Sequence, residues 1–240
     1  MTVESGIAHN GATLIRNAPG TKPPLAQLLK VEAQNVNICG HCGAALLRES
    51  GFNVVDLIYP RRPLSNESQP AKDFFTILRN SITRDTVARM LCASCRQTTH
   101  MRIRRNLAQT QLPPILILNA GVRTSDELEV WLDDRTREGV TFLPSTFVLH
   151  HNQTSLRVQH DSQEHQEDGG VRYRLRAMVC QVQADDDAPH LVALCRVAEA
   201  DDSWHIFNDF LVKPISETEA LSFPGTWKVC FLCCLSYVVD

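Results

Sequence analysis

No stretch of this sequence is apolar for long enough to cross a bilayer. The longest such run, residues 229–239, is interrupted by Ser236, and a span needs about 20 residues. Residues 1–10 hold no basic stretch followed by an apolar one, so no secretory leader is expected there. Charge of one sign is scarce too. A net charge of −3 on 240 residues leaves no strong field to gather nucleic acid or a membrane surface. There is no internal repeat. What remains is an ordinary globular composition, 43% hydrophobic and 21% charged, on a chain long enough for one core with at most a subdomain.

Cysteine is the exception, with nine in the chain. Cys39-Gly40-His41-Cys42 and Cys92-Ala93-Ser94-Cys95 each set two thiols two residues apart on what should be a tight turn. Such a turn, a zinc knuckle, points both sulfurs at one spot, and two knuckles face to face complete a tetrahedral four-sulfur site. Closing a long loop around a metal fixes remote hairpins against each other. Cys39, Cys42, Cys92 and Cys95 are therefore expected to hold one structural zinc; the alternative is four reduced cysteines that happen to lie in turns. Without a leader the expected compartment is reducing, where cysteine pairs read as metal ligands rather than disulfides. His41 could replace a sulfur, but with the sulfur set complete it is expected to face solvent. Cys180 and Cys195 fall in strand-like runs, and Cys230, Cys233 and Cys234 crowd the C-terminus.

Along the chain, residues 1–24 are polar and aperiodic and read as a disordered tail. Residues 25–31 could make a helical turn or two, 36–38 a short strand, and 49–59 a strand rich in β-formers. After a polar loop at 64–71, Phe74, Leu78 and Ile82 recur at helical spacing, with Ser68 or Asp73 as cap. Residues 100–107 read as a strand. Its Arg102, Arg104 and Arg105, with Arg96 just before it, could touch RNA phosphates, but at this net charge they read as a solvated face. Residues 115–119 read as a strand buried on both faces, and 123–139, which include Trp131, as a loop. Residues 142–150 and 156–159 could pair. In 173–182, Tyr173, Leu175, Ala177 and Val179 alternate with Arg174, Arg176, Met178 and Cys180, the pattern of a central strand. Residues 191–197 return as its hairpin partner, 204–207 and 210–212 are short strands, and Ser216 with Glu219 forms a capping box. Few helices, many strands and an antiparallel meander make the class α+β.

A second constellation carries chemistry in principle. In Pro189-His190-Leu191 and Trp204-x-x-Phe207-Asn208-Asp209-Phe210-x-Val212, a histidine and an asparagine on neighbouring strands can bond, and the asparagine then holds the imidazole as base for a thiol. This run resembles the histidine box of the ubiquitin-specific proteases, a papain-like family whose fingers carry paired Cys-x-x-Cys knuckles. The resemblance implies a fingers-and-palm fold with the thumb largely missing, and places His190 at the catalytic histidine and Asn208 at its orienting residue. Pro189 and Leu191 stand where that family has a glycine and an aromatic. No cysteine box precedes Cys39, so no active catalytic residue is expected and His190 and Asn208 are degenerate positions.

One branch matches more closely. Asp56-Leu57-Ile58-Tyr59-Pro60, Leu112-Pro113-Pro114-Ile115-Leu116-Ile117-Leu118-Asn119-Ala120 and Ser203-Trp204-His205-Ile206-Phe207-Asn208-Asp209-Phe210-Leu211-Val212 resemble the ubiquitin-hydrolase-like domain in the catalytic subunit of the PAN poly(A)-nuclease deadenylase, fungal versions especially. That domain is a pseudo-hydrolase scaffold. The resemblance implies a part in mRNA poly(A)-tail shortening in the cytoplasm, with processing bodies as one location. The implied partners are the complex's regulatory subunit and other domains, with poly(A) RNA reached indirectly; no membrane and no ubiquitin are expected. The alternative is a truncated, active ubiquitin-specific cysteine protease. The expected division is a tail at 1–24, a ubiquitin-hydrolase-like domain at 25–228 with knuckles at 39–42 and 92–95 and a palm at 112–228, and an atypical apolar tail at 229–240. That last stretch resembles nothing in the family and reads equally as intron read-through or as an edge strand. The upstream propeller, the front of the domain and the downstream exonuclease are absent from the sequence, which reads as a fragment.

Overall fold

The computed structural model describes residues 25–60, 73–108, 112–132, 142–151, 156–161, 170–182, 188–197, 203–223 and 232–239. The expected tail at 1–24, the loop at 64–71 and the cap at Ser68 lie outside these. The elements in order are α1 (Leu25–Leu29), β1 (Val31–Cys39), β2 (Ala45–Phe52), β3 (Val54–Asp56), α2 (Phe74–Ile82), β4 (Asp85–Leu91), β5 (Thr98–Leu107), β6 (Ile115–Asn119), α3 (Ser125–Leu132), β7 (Thr146–His151), β8 (Leu156–His160), β9 (Val171–Val182), β10 (His190–Arg196), β11 (Trp204–Asn208), β12 (Leu211–Ile215), α4 (Glu217–Leu221) and β13 (Leu232–Val239). The described chain is mostly β with few, short helices, so the helical half of the α+β expectation is thin.

Two sheets share the strands. A four-stranded sheet runs β2-β1-β5-β4, and a nine-stranded sheet runs β12-β11-β10-β9-β13-β6-β3, with β7 and β8 joined to it through β9. The pairing is antiparallel except between β3 and β6. The run expected as one strand over 49–59 is split: β2 ends at Phe52 in the small sheet, and β3 starts at Val54 in the large one. A single residue, Asn53, carries the chain between sheets. β4 had no counterpart in the sequence reading. It is an exposed edge whose apolar residues fall on both faces.

α2 forms where the helical spacing put it. Asp73 caps it, its side chain accepting from the Thr76 N–H at 2.9 Å. Phe74, Ile77, Leu78 and Ile82 are all buried, each worth roughly 1.5–3 kcal/mol of transfer free energy. The Phe74 ring lies 5.9 Å from Phe142, 6.1 Å from Phe147 and 6.3 Å from Tyr237, so α2 covers the middle of the large sheet. The chain's three tyrosines are all buried, and each spends its hydroxyl on a loop carbonyl: Tyr59 on Ala120 at 2.7 Å, Tyr173 on Pro113 at 2.7 Å and Tyr237 on Pro144 at 2.8 Å. A buried hydroxyl without a partner costs about 1–3 kcal/mol, so these bonds fix three loops against the sheet.

Three expectations are corrected here, and a fourth is refined. First, 123–139 is not a plain loop: Ser125–Leu132 is helical. Trp131 is buried against Phe142 and Phe223, its indole N–H donating to Tyr59 Oη at 2.8 Å. The charged run was read as loop, but Asp126 and Glu127 suit the first turn of a helix. Second, the described part of the expected tail at 229–240, residues 232–239, is neither an appendage nor an edge. β13 lies between β9 and β6, with Leu235 and Tyr237 fully buried, so the sheet continues past the expected boundary at 228. Third, β9 changes phase. Tyr173 and Leu175 are buried, but so are Met178, Cys180 and Val182, while Ala177 and Val179 are half-buried. On β13, Tyr237 faces Leu175 and Ser236 faces Ala177, which leaves Arg176 as an extra residue in a bulge. The arginines of β5 refine the fourth: Arg102 and Arg104 are exposed, as a solvated face requires, but they are paired, and Arg105 is half-buried. Arg102 and Arg104 both reach Asp85 on β4, at 2.6 and 3.3 Å. Arg105 donates to the Ser81 and Ile82 carbonyls that end α2, with its guanidinium 4.4 Å over the Phe52 ring. Arg105 thus ties the small sheet to the helix that covers the large one.

Candidate metal centre and the histidine–asparagine pair

The two Cys-x-x-Cys segments are turns at the same end of the small sheet, one joining β1 to β2 and the other β4 to β5. They are built alike. Cys39 N–H donates to Ala44 O at 2.9 Å and Gly43 N–H to Cys39 O at 3.0 Å; Cys92 N–H donates to Gln97 O at 3.0 Å and Arg96 N–H to Cys92 O at 2.9 Å. The offsets match residue for residue. Each turn needs a left-handed residue in fourth place after its first cysteine, and there Gly43 has φ +71° and Arg96 φ +56°. A side chain in that region costs roughly 1–2 kcal/mol, which the second turn bears and the first avoids. Gly40 meets a tighter limit. Its N–H donates to His100 O at 2.9 Å, and a Cβ there would stand 2.7 Å from the same oxygen. The two turns approach this closely because residue 40 has no side chain.

The pairing of β1 with β5, Cys39 opposite Met101, brings the turns together. The four sulfurs then lie within 4.8 Å of one another, with Cys39 and Cys95 3.9 Å apart and Cys42 and Cys92 3.8 Å apart. A tetrahedral site with metal–sulfur bonds of about 2.3 Å has edges of about 3.8 Å. The donor set and its spacing therefore fit a metal ion. Two of the thiols are shifted, in opposite directions. The Cys42 backbone N–H, 3.5 Å from the Cys39 sulfur, and the His41 N–H lower the Cys39 thiol to about 6. For Cys95 the Gln97 N–H pulls the same way, but burial and the sulfurs of Cys92, Cys42 and Cys39 outweigh it and push the thiol up to about 11. Cys39 ionises readily and Cys95 resists, the split expected of like charges crowded together. His41 is exposed and outside the cluster.

The second constellation sits at one end of the large sheet. β10 pairs with β11 so that Ala193 faces Phe207, which brings the start of one strand to the end of the other. There His190 Nε2 and Asn208 Oδ1 are 3.0 Å apart. With the amide oxygen as acceptor, Nε2 carries the proton and Nδ1 keeps a lone pair for a second partner. A general base for a thiol needs that arrangement, and also needs the thiol. Cys180 is fully buried on β9 opposite Val192. Cys195 is five residues along β10 from His190, about 17 Å at strand rise, and burial raises its pKa. The side chains of Cys230, Cys233 and Cys234 lie outside the described residues.

Sequence reasoning reached the four sulfurs and the His190–Asn208 pair. It missed Gly40 and Arg96, although writing the two turns one above the other exposes Gly43 and Arg96 as equivalent positions. It also missed Arg196, whose buried guanidinium donates to Leu175 O, Ser145 Oγ and Glu217 Oε1 and lies 4.8 Å from the Trp204 ring centroid. No local pattern marks that residue.

A family model described as ubiquitin carboxyl-terminal hydrolase matches residues 5–212, starting within the stretch read as a tail. Over 213 residues the chain is 38% identical to the PAN2-PAN3 deadenylation complex catalytic subunit PAN2 of Cryptococcus neoformans, an alignment covering 85% of this chain and 17% of that protein. The chain thus spans less than a fifth of that curated relative's length. Among solved structures, the Neurospora crassa Pan2 catalytic unit (protease and nuclease domain) superposes with a TM-score of 0.71 at 23% identity, covering 92% of this chain and 36% of that one. The Saccharomyces cerevisiae PAN2 pseudoubiquitin-hydrolase superposes with a TM-score of 0.68 at 17% identity, covering 89% and 55%. At such identities the likeness is one of fold.

Proposed function

The chain belongs to the ubiquitin carboxyl-terminal hydrolase family, and from that premise we propose that it is a non-catalytic, zinc-braced scaffold domain of a deadenylation-complex catalytic subunit, acting in the shortening of mRNA poly(A) tails. The observation that carries this reading is the 38% identity with the Cryptococcus PAN2 along most of the chain. In this reading the four-stranded sheet is the fingers and the nine-stranded sheet the palm. Cys39, Cys42, Cys92 and Cys95 hold zinc, the ion whose preference for four thiolates in a closed tetrahedron their spacing suits. The metal would supply no chemistry there beyond bracing two hairpins. The partners are the other domains and the regulatory subunit of such a complex, with poly(A) RNA reached through them, in the cytoplasm and its processing bodies. Ubiquitin is not among them.

Acyl transfer needs a thiolate against the imidazole, and outside the sulfur cluster of the small sheet the described cysteines offer His190 a buried thiol and a remote one with a raised pKa. A second reading, an active cysteine protease, draws on one observation: the 3.0 Å His190–Asn208 bond already orients the ring for catalysis. A ubiquitin carrying a C-terminal vinyl sulfone separates the two. The scaffold reading expects no covalent adduct, and an adduct mapped to any cysteine of this chain would replace it with the protease.

A further inference from the structure

β4 is an unpaired edge of the small sheet among the described residues. In an antiparallel pair, alternate residues turn their main-chain groups toward the partner and away from it. Two bonds fix which is which. Cys92 N–H donates to Gln97 O at 3.0 Å, just beyond one end of β4, and Arg105 N–H donates to Arg84 O at 2.7 Å, just beyond the other. The register between them is unbroken, from Asp85 opposite Arg104 to Leu91 opposite Thr98. The even-numbered residues therefore bond to β5, and the N–H and C=O groups of Asp85, Val87, Arg89 and Leu91 point out of the sheet. Neither a proline nor a bulge blocks them, though these are the usual protections of an edge. One edge strand of the large sheet, β12, does carry one, Pro214.

The side chains of those four residues share a face. Val87 and Leu91 are 64% and 67% exposed, with exposed Arg89 between them. Arg102 lies behind Val87 and Arg104 behind Asp85. Asp85 is the carboxylate that both of these contact, so with Arg89 the strip sets three guanidinium groups against one carboxylate. An apolar–basic–apolar alternation along an open ladder is complementary to an apolar–acidic–apolar strand.

We propose that β4 is a docking edge for an extended segment of a partner protein. The segment joins the small sheet as a fifth strand, with an acidic side chain against Arg89 and Arg102 and apolar ones against Val87 and Leu91. Main-chain bonds supply the affinity and the alternate side chains the selectivity. The inference goes beyond the scaffold reading and stands apart from it, since the edge is the same whether or not the chain belongs to a deadenylase.

The test uses the metal-loaded chain and a fluorescein-labelled peptide, Thr-Val-Thr-Glu-Thr-Leu-Thr, followed by anisotropy and by amide exchange. Binding should protect the amides of Val87, Arg89 and Leu91. Val87→Pro removes one outward N–H and no bond to β5, so it should weaken binding at least tenfold while metal content stays unchanged. Arg89→Glu should weaken it by a similar factor, and should bind a peptide with Lys in place of Glu better than the wild type does. If Val87→Pro fails to fold, that charge exchange decides alone. The proposal is overturned if the acidic peptide does not bind at millimolar concentration or binds Val87→Pro as it binds wild type. Equal binding of the Lys peptide by wild type, or protection confined to other strands, overturns it too. So does a chain that sediments as a dimer paired through β4, because a second copy would then occupy the edge.

Discussion

The small sheet and the large one meet the same need with different materials. The large sheet buries a continuous core that includes Trp131, Tyr173, Phe147, Phe74, Leu235 and Tyr237. The small sheet shares that core at its root, through Val31, Phe52 and Leu107; at its far end the buried cluster is Cys39, Cys92 and Met101. Three side chains, two of them cysteine, cannot offset the ordering of two hairpin tips at roughly 1–2 kcal/mol per residue. A metal on the four sulfurs can, since structural sites of this kind contribute on the order of 10 kcal/mol. Apolar area therefore holds one region; the Arg105 clamp and, in the proposed reading, coordination by the four sulfurs hold the other.

Cys92→Ser should separate the two most sharply. It removes a sulfur from the set, so amide exchange in β1, β2, β4 and β5 should accelerate by orders of magnitude while β9 and β13 keep their protection. Simultaneous loss in both sheets would mean that the regions are not independent. Next in size is Tyr237→Ala, which empties the centre of the large sheet and should cost about 3–5 kcal/mol in denaturant unfolding. The protein that stays folded should still bind its metal. Arg96→Gly should steady the second turn by about 1 kcal/mol by removing a left-handed side chain, visible as slower exchange at Cys92 and Arg96. Gly43→Ala should do the reverse in the first turn.

The smallest effect concerns pH. The hydrogen bond from Arg102 holds the Asp85 carboxyl below the usual carboxylate range. A group whose pKa is lowered by folding stabilises the fold above its unfolded value, near 4, and that contribution fades as pH falls toward the folded value. The pair is exposed, so about 0.5 kcal/mol is at stake. Asp85→Asn should flatten that acid-side decline between pH 5 and pH 3 in denaturant titrations; an unchanged slope would show the pair to be inert.

How much of this was legible in the sequence follows from how local each signal is. Cys-x-x-Cys turns, the spacing of Phe74, Leu78 and Ile82, and the Ser216–Glu219 cap are written within a few residues, and all formed as read. The cap is seen directly, with Glu219 N–H donating to Ser216 Oγ at 3.1 Å. β13 was misjudged because its apolar, cysteine-rich run has no turn signal and no clear alternation of residue types, although Leu235 and Tyr237 are buried and Ser236 and Val238 half-buried. The phase change in β9 depends on a bulge set by β13, a partner some sixty residues away. β4 was invisible because an edge strand need not alternate. The His190–Asn208 pair was readable as a pair of residue types, but its 3.0 Å contact rests on the β10–β11 register.

The account turns on the sulfur cluster, and elemental analysis tests it most directly. Protein purified without added metal or chelator should carry about one zinc per chain. A folded chain that contains no zinc, with all four cysteines free to react with a thiol reagent while β1 and β5 keep their amide protection, would contradict it.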